Sequence, residues 1–324
     1  MKVQRILIAL IILAAGLGLA LRGEGQEGAI ALAAPVFSEA FWKHWGDGQA
    51  ELAGYDLQFP RYGQMRKGTA VTIFVSETFS NRLRVKADAG KHPASDQFPV
   101  MKLNLIRDFS TGIYDYNTML SAFSALSPVN GRSAGALTKL SFSSQEWCGQ
   151  VYSQLLFDKA KLRFDTHSYF DGEADARGGL ENPADGLSED ALLLWARGLA
   201  APAIAPGGEL KVQMLTSLEV ARHLHQPLVW RPALLARSAK SHSLEVPAGR
   251  FEVESYTCKI SGARSWTIEI EKAAPHRLIR WRADDGREGR LVGTARMKYW
   301  QLNGEGGQKA LAKLGLKRRG PRTP

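Results

Sequence analysis

Trp266-Thr267-Ile268-Glu269-Ile270-Glu271 decides the fold. Its apolar residues Trp266, Ile268 and Ile270 point one way and Thr267, Glu269 and Glu271 the other, the period of two that marks a half-buried strand. Ile279, Trp281 and Ala283 repeat the alternation. Asp285-Gly286 then supplies the residue pair that tight hairpin turns demand. Phe251 and Val253 open an earlier strand after Pro247-Ala248-Gly249, and Leu291, Ala295, Met297 and Tyr299 mark a long final one. Four strands joined by short turns predict an antiparallel meander.

The same grammar runs through the N-terminal half. Tyr55, Leu57 and Phe59 alternate before Pro60; Val71, Ile73 and Val75 follow; Met101, Leu103 and Leu105 resume after a loop over 87–99. Such patterning is antiparallel sheet with one face on a core. Helices are few. Ser38 caps a short one over 36–45, whose Phe37, Phe41 and Trp45 share a face. A Gly- and acid-rich loop over 172–186 leads into Ser188-Glu189-Asp190-Ala191-Leu192-Leu193-Leu194-Trp195, with Gly198 as its stop. Trp147, Val151 and Leu155 lie at helical spacing, so that segment reads as either helix or strand. The Pro/Gly cluster over 201–208 is the candidate divide between two halves of a domain spanning 36–303.

The first residues give an address. Lys2 and Arg5 precede sixteen uncharged residues, Ile6 to Leu21, and Gly18-Leu19-Ala20 places small residues at −3 and −1. This is the pattern of a secretory signal peptide over 1–20, followed by a linker over 21–35; Ala31-Leu32-Ala33 offers a second exit. The run is shorter than the roughly 20 apolar residues of a membrane span. No cysteine follows it, so no lipoprotein anchor is expected. The expectation is an exported protein of the periplasm or cell envelope, soluble after cleavage. With 44% hydrophobic and 23% charged residues the composition is that of a globular chain.

The formal charge is +10, and six basic residues lie in the last sixteen: Lys309, Lys313, Lys317, Arg318, Arg319 and Arg322. Residues 304–324 thus read as a basic tail, suited to solubility or to an anionic envelope surface. An exported protein has no expected nucleic-acid partner. Cys148 and Cys258 could form one disulfide in an oxidising compartment, but spacing alone does not bring their Cα atoms together.

Few strings suggest chemistry. Phe142-Ser143-Ser144-Gln145-Glu146-Trp147-Cys148-Gly149 sets a cysteine beside acid, Trp and Gly, making Cys148 the candidate thiol nucleophile, with a base to come from His167, His223, His225 or His242. No cysteine-hydrolase signature is matched. His223-x-His225 would put two imidazoles on one strand face, short of a full metal set. Asp171-x-Glu173-x-Asp175 imitates a calcium loop but has Ala176 and Asn182 where Gly and Glu are needed. No metal or cofactor is expected. Arg277, Arg280, Arg282, Arg287, Arg290, Arg296 and Lys298, with Trp281, Tyr299 and Trp300, decorate the last hairpin. Among these, Arg280, Arg296, Trp281 and Trp300, together with Trp147, are candidate ligand or surface contacts. Fingerprints of serine hydrolases, P-loop enzymes, zincins and Rossmann proteins do not occur.

Phe41-Trp42-Lys43-His44-Trp45, Gly112-Ile113-Tyr114-Asp115-Tyr116, the Ser141–Gly149 string, Ser168-Tyr169-Phe170 and Tyr299-Trp300-Gln301-Leu302 resemble landmarks of an exported bacterial family of unknown function. The resemblance spans roughly Phe37 to Leu302. Members often carry the label septum formation inhibitor Maf, yet the S-A-S-P-R-R string that opens the cytosolic Maf pyrophosphatases is not found here. The C-terminal half, with Pro247-Ala248-Gly249-Arg250-Phe251 and the Asp-Gly hairpin, is similar to periplasmic proteins of LolA/LolB-like architecture. That similarity implies a curved, incomplete antiparallel barrel closed by helices and a trade in lipid or acyl chains. It supplies no catalytic residue.

The fold expected is therefore mainly antiparallel β with α+β elements, a curved sheet or incomplete β-barrel with a few covering helices. The function expected is non-enzymatic binding of an apolar or lipid-like ligand on the concave face. The alternatives are a thiol-dependent hydrolase or transferase using Cys148, and a structural or interaction module docking through its basic tail.

Overall fold

The computed structural model of this protein describes residues 32–317. The signal peptide read over 1–20, most of the linker, and Arg318, Arg319 and Arg322 lie outside the described residues.

Eight strands follow one another as antiparallel neighbours. They are β1 (Ala50–Arg61), β2 (Gln64–Ser80), β3 (Gln97–Thr111), β4 (Tyr114–Ala125), β5 (Leu137–Glu146), β6 (Gly149–Phe157), β7 (Lys161–Ser168) and β8 (Ala176–Glu181). The second run comprises β9 (Gly186–Ser188), β10 (Glu209–Leu215), β11 (Trp230–Arg237) and β12 (His242–Val246). It ends with β13 (Gly249–Ile260), β14 (Ser265–Glu271), β15 (Leu278–Ala283) and β16 (Glu288–Met297). β16 pairs with β1, so both runs form one sixteen-stranded sheet ordered 8-7-6-5-4-3-2-1-16-15-14-13-11-10-9, with β12 paired on β13. The expected meander is β13 to β16. Only the short β9–β10 contact is parallel.

The sheet rolls up but does not close. Its two ends, β8 and β9, are joined by residues 182–185 and share no ladder. Across this seam the Trp230 indole donates to the Glu181 carbonyl at 2.9 Å. The concave face carries Tyr55, Phe59, Phe74, Phe109, Tyr116, Phe142 and Leu155, all fully buried. The chain fills part of the hollow itself. A 3₁₀ turn (Glu189–Ala191) runs into α2 (Leu192–Ala196), whose five residues are all buried. Ser188 caps the turn by accepting from the Asp190 amide at 3.3 Å. Each buried leucine here contributes about 1.5–3 kcal/mol. Outside the sheet, α1 (Glu39–Trp45) is capped by Ser38 and buries Trp45.

Several readings need correction. The segment after Glu146 is a hairpin, not a helix: Trp147-Cys148 is the turn, and Val151 and Leu155 sit inward on β6. Residues 201–208 connect α2 to β10 within one sheet and one principal core, because the core draws on both sides of them. The packed body also runs past Asn303. A 3₁₀ helix (Gly307–Leu314) buries Leu314 against β1 and β16, with Leu316 alongside. Among the described residues no helix is long and apolar enough to cross a membrane.

Candidate functional site

The His223-x-His225 segment is not a strand. It closes α3 (Leu218–Leu224), a short helix inside the mouth of the barrel. Ser217 is its N-cap, accepting from the Glu219 amide at 3.1 Å. Long-range charge then fixes its first turn. The Leu218 amide donates to Asp190 Oδ2 at 2.8 Å and the Ser217 amide to Glu189 Oε2 at 3.2 Å. Glu189 is itself held by Arg264 and by the Trp266 indole, both at 2.7 Å. Glu219 is clamped between Arg107 and Arg287. Burial alone would raise the Glu219 carboxyl, but the two guanidiniums outweigh it and hold it well below the usual carboxylate range. Asp190 has no such clamp, and burial pushes it up to about 7.

Beyond this anchor α3 divides the mouth into two clefts. One, of about 620 Å³, has Arg61, Glu189, Arg231, Arg264, Asp285 and Arg287 on its walls. The other, of about 780 Å³, lies at the seam between β6, β7, β8 and α3. Val151, Leu155, Phe164, Leu180, Leu218 and Leu228 give it an apolar lining. Arg222 of α3 stands in its wall with a side chain only 4% exposed. The Arg222 guanidinium lies 3.6 Å from the centroid of the Phe170 ring. Its Nη2 is 3.8 Å from Glu146 Oε1, beyond hydrogen-bond range.

Consecutive hairpin tips surround the same mouth. Tyr62 (β1–β2), Ile113 (β3–β4), Trp147 (β5–β6) and Tyr169 (after β7) are all exposed, and Leu224 of α3 joins them. The aromatics touch: Tyr62 and Tyr116 hydroxyls are 2.8 Å apart, and the Tyr114 and Trp147 rings are 6.2 Å apart. Gly149 is required beneath Tyr169, because a Cβ there would fall 2.5 Å from its ring.

The structure does not gather the residues singled out from sequence. Trp147 sits on the rim. Trp281 is core, edge-on to Tyr55 at 4.5 Å. Arg280 forms a two-bond pair with Glu269 across the β14–β15 ladder. Arg296 ties β16 to α1 through the His44 carbonyl and Asp47. Trp300 is exposed beside Tyr299, far along the chain from the cleft walls. A basic residue in a strand looks solvent-facing until its cross-strand partner is known.

Cys148 lies in an exposed turn, and the Glu146 carboxylate raises its thiol above the ordinary value. That is the opposite of an activated nucleophile. Cys258 is buried in β13, and both thiols are free. The two helix-end histidines diverge. His223 packs against Phe59 and Tyr116, with burial pulling it down to about 3, whereas His225 is exposed and pairs with Glu173. Asp175 of the acidic loop turns to His167. Arg222 escaped notice, although Ser217-Leu218-Glu219 carries a cap and an early acid that signal a helix start.

No known protein family matches the chain, and no curated protein does. A crystal structure of a β-barrel-like protein of the domain of unknown function DUF1849, from Brucella abortus, is similar with a TM-score of 0.44 and 8% identity. The match covers 77% of this chain and 98% of that one.

Proposed function

We propose that this protein is a non-enzymatic binding protein of the cell envelope that shelters an apolar or lipid-like ligand in the cleft between α3 and strands β6 to β8. The observation that carries the reading is the cleft of about 780 Å³ whose walls include Val151, Leu155, Phe164, Leu180, Leu218 and Leu228. Ligand pockets of about 300–1,000 Å³ with apolar walls and few polar groups are the common form. The rim of Tyr62, Ile113, Trp147 and Tyr169 supports the same reading, since an apolar ligand reaching this mouth meets apolar side chains first. The basic start and uncharged run over 1–21 support export.

The test is solvent extraction of purified protein followed by mass spectrometry, alongside displacement of a fluorescent fatty-acid probe. Bound apolar molecules and saturable probe binding are expected. Ser153→Phe, which projects a ring into the cleft from β6, should abolish probe binding while the melting temperature stays near that of the parent. Protein that is repeatedly ligand-free and fails to bind the probe overturns the reading.

A further inference from the structure

We propose that the α3 cleft selects amphiphiles carrying one anionic head on an apolar chain, with Arg222 as the residue that receives the head. This rests on the reading of the cleft given above and names its ligand class.

The argument begins with donors. Arg222 Nε and Nη1 are buried and have no hydrogen-bond partner. A buried donor left without an acceptor forfeits its hydration at a cost that folded proteins seldom tolerate without a purpose. Among the described residues the only carboxylate within ion-pair distance of the guanidinium is Glu146, and it is a poor match: its Oε1 is 3.8 Å away and its Oε2 accepts from the Cys148 amide at 2.8 Å. Phe170 covers one face of the guanidinium, so a head group would have to meet its N–H edge.

The remaining charges on the cleft walls are already spent. Glu173 is taken by His225 and the Ser168 hydroxyl, Asp165 by Arg177, and Asp175 by His167. Arg222 thus brings idle donors to a wall whose other charges are paired and which also carries Val151, Leu155, Phe164, Leu180, Leu218 and Leu228. A planar fork of N–H groups fits a carboxylate or a phosphate, each of which can accept two bonds at once. An apolar slot beside such a fork fits the chain attached to that head. α3 is also rigid where it needs to be, because Glu219, one turn before Arg222, is clamped by Arg107 and Arg287.

The test uses the full chain and three probes of equal chain length, dodecanoate, dodecyl phosphate and dodecanol, each titrated calorimetrically below its micelle concentration. Hydrogen bonds to a charged group predict that at least one anion binds about 10- to 100-fold more tightly than the alcohol. Whether the carboxylate or the phosphate wins separates a fatty-acid-like head from a phospholipid-like one. Arg222→Met should bring the anions down to the affinity of dodecanol for the same variant, and Arg222→Lys should restore part of the gap. Equal binding of all three by the parent protein overturns this inference and leaves the apolar-ligand reading standing. Binding of none overturns that reading as well. The comparison within the parent protein decides the matter even if Arg222→Met fails to fold.

Discussion

Arg197 grips Glu51 with two parallel hydrogen bonds, Nη1 to Oε1 at 2.7 Å and Nη2 to Oε2 at 3.1 Å, and both side chains are almost wholly buried. The pair locks the C-terminal end of α2 to β1. Arg197 also donates to the carbonyls of His276 and Pro275 and lies 4.3 Å over the Phe74 ring. Glu51→Gln leaves that guanidinium buried without a counter-charge and should cost about 3–5 kcal/mol in urea unfolding. The double replacement Glu51→Leu/Arg197→Met should cost less than Glu51→Gln alone. A double variant as unstable as the sum of its parts would show that the pair contributes through packing alone.

The two buried titratable groups beside α3 oppose each other with pH. Asp190 is pushed up to about 7 from an ordinary 3.8, so its contribution to stability is full in acid and fades as pH rises toward 7. Burial pulls His223 down to about 3 from 6.5, so its contribution is full above 6.5 and fades as pH falls toward 3. Between about pH 4 and 6.5 the two slopes cancel. Relative to the parent, the melting temperature of Asp190→Asn should climb with pH across this window and that of His223→Phe should fall. Parallel curves for all three proteins would defeat the assignment.

Thiol reactivity should separate the two cysteines. Glu146 disfavours the Cys148 thiolate, and burial raises Cys258 to about 12. In iodoacetamide near neutral pH, Cys148 should alkylate slowly and Cys258 only after denaturation. Glu146→Gln should speed Cys148 several-fold. A fast Cys148 in the parent protein would reopen the thiol-nucleophile reading.

Truncation should distinguish the packed end of the chain from the charges beyond it. Leu314 and Leu316 lie on the β1–β16 surface. Ending the chain after Asn303 removes both and should cost about 2–4 kcal/mol. Ending it after Lys317 keeps both leucines and should leave the melting temperature unchanged. Equal stability of the two truncated chains would show that the leucines add nothing.

The sheet was largely legible because its signal is local. Trp266 to Glu271 alternate, Asp285-Gly286 turns, and β13 to β16 follow in order. The curvature came from a resemblance rather than from any periodicity. The cleft was illegible for a different reason. Its walls come from residues 151–180 and 218–228, which meet only when the sheet rolls back on itself. α3 was read as strand because His223-x-His225 mimics alternation. What makes it a helix is Glu219 finding Arg107 and Arg287, more than sixty residues away on either side. Trp281 and Arg280 show the same limit, since a buried ring and a paired guanidinium look alike in sequence to exposed ones.

A barrel stitched all the way round has a girth set by its strand number and stagger. This one is bridged at its seam by Trp230 on Glu181 and joined there by residues 182–185. Besides that indole bond, the His225–Glu173 pair and Arg222 over the Phe170 ring join α3 to the strand run that ends in β8, so side chains and not a ladder close the seam. The lip of the seam, β8 with Leu180, is itself a wall of the cleft.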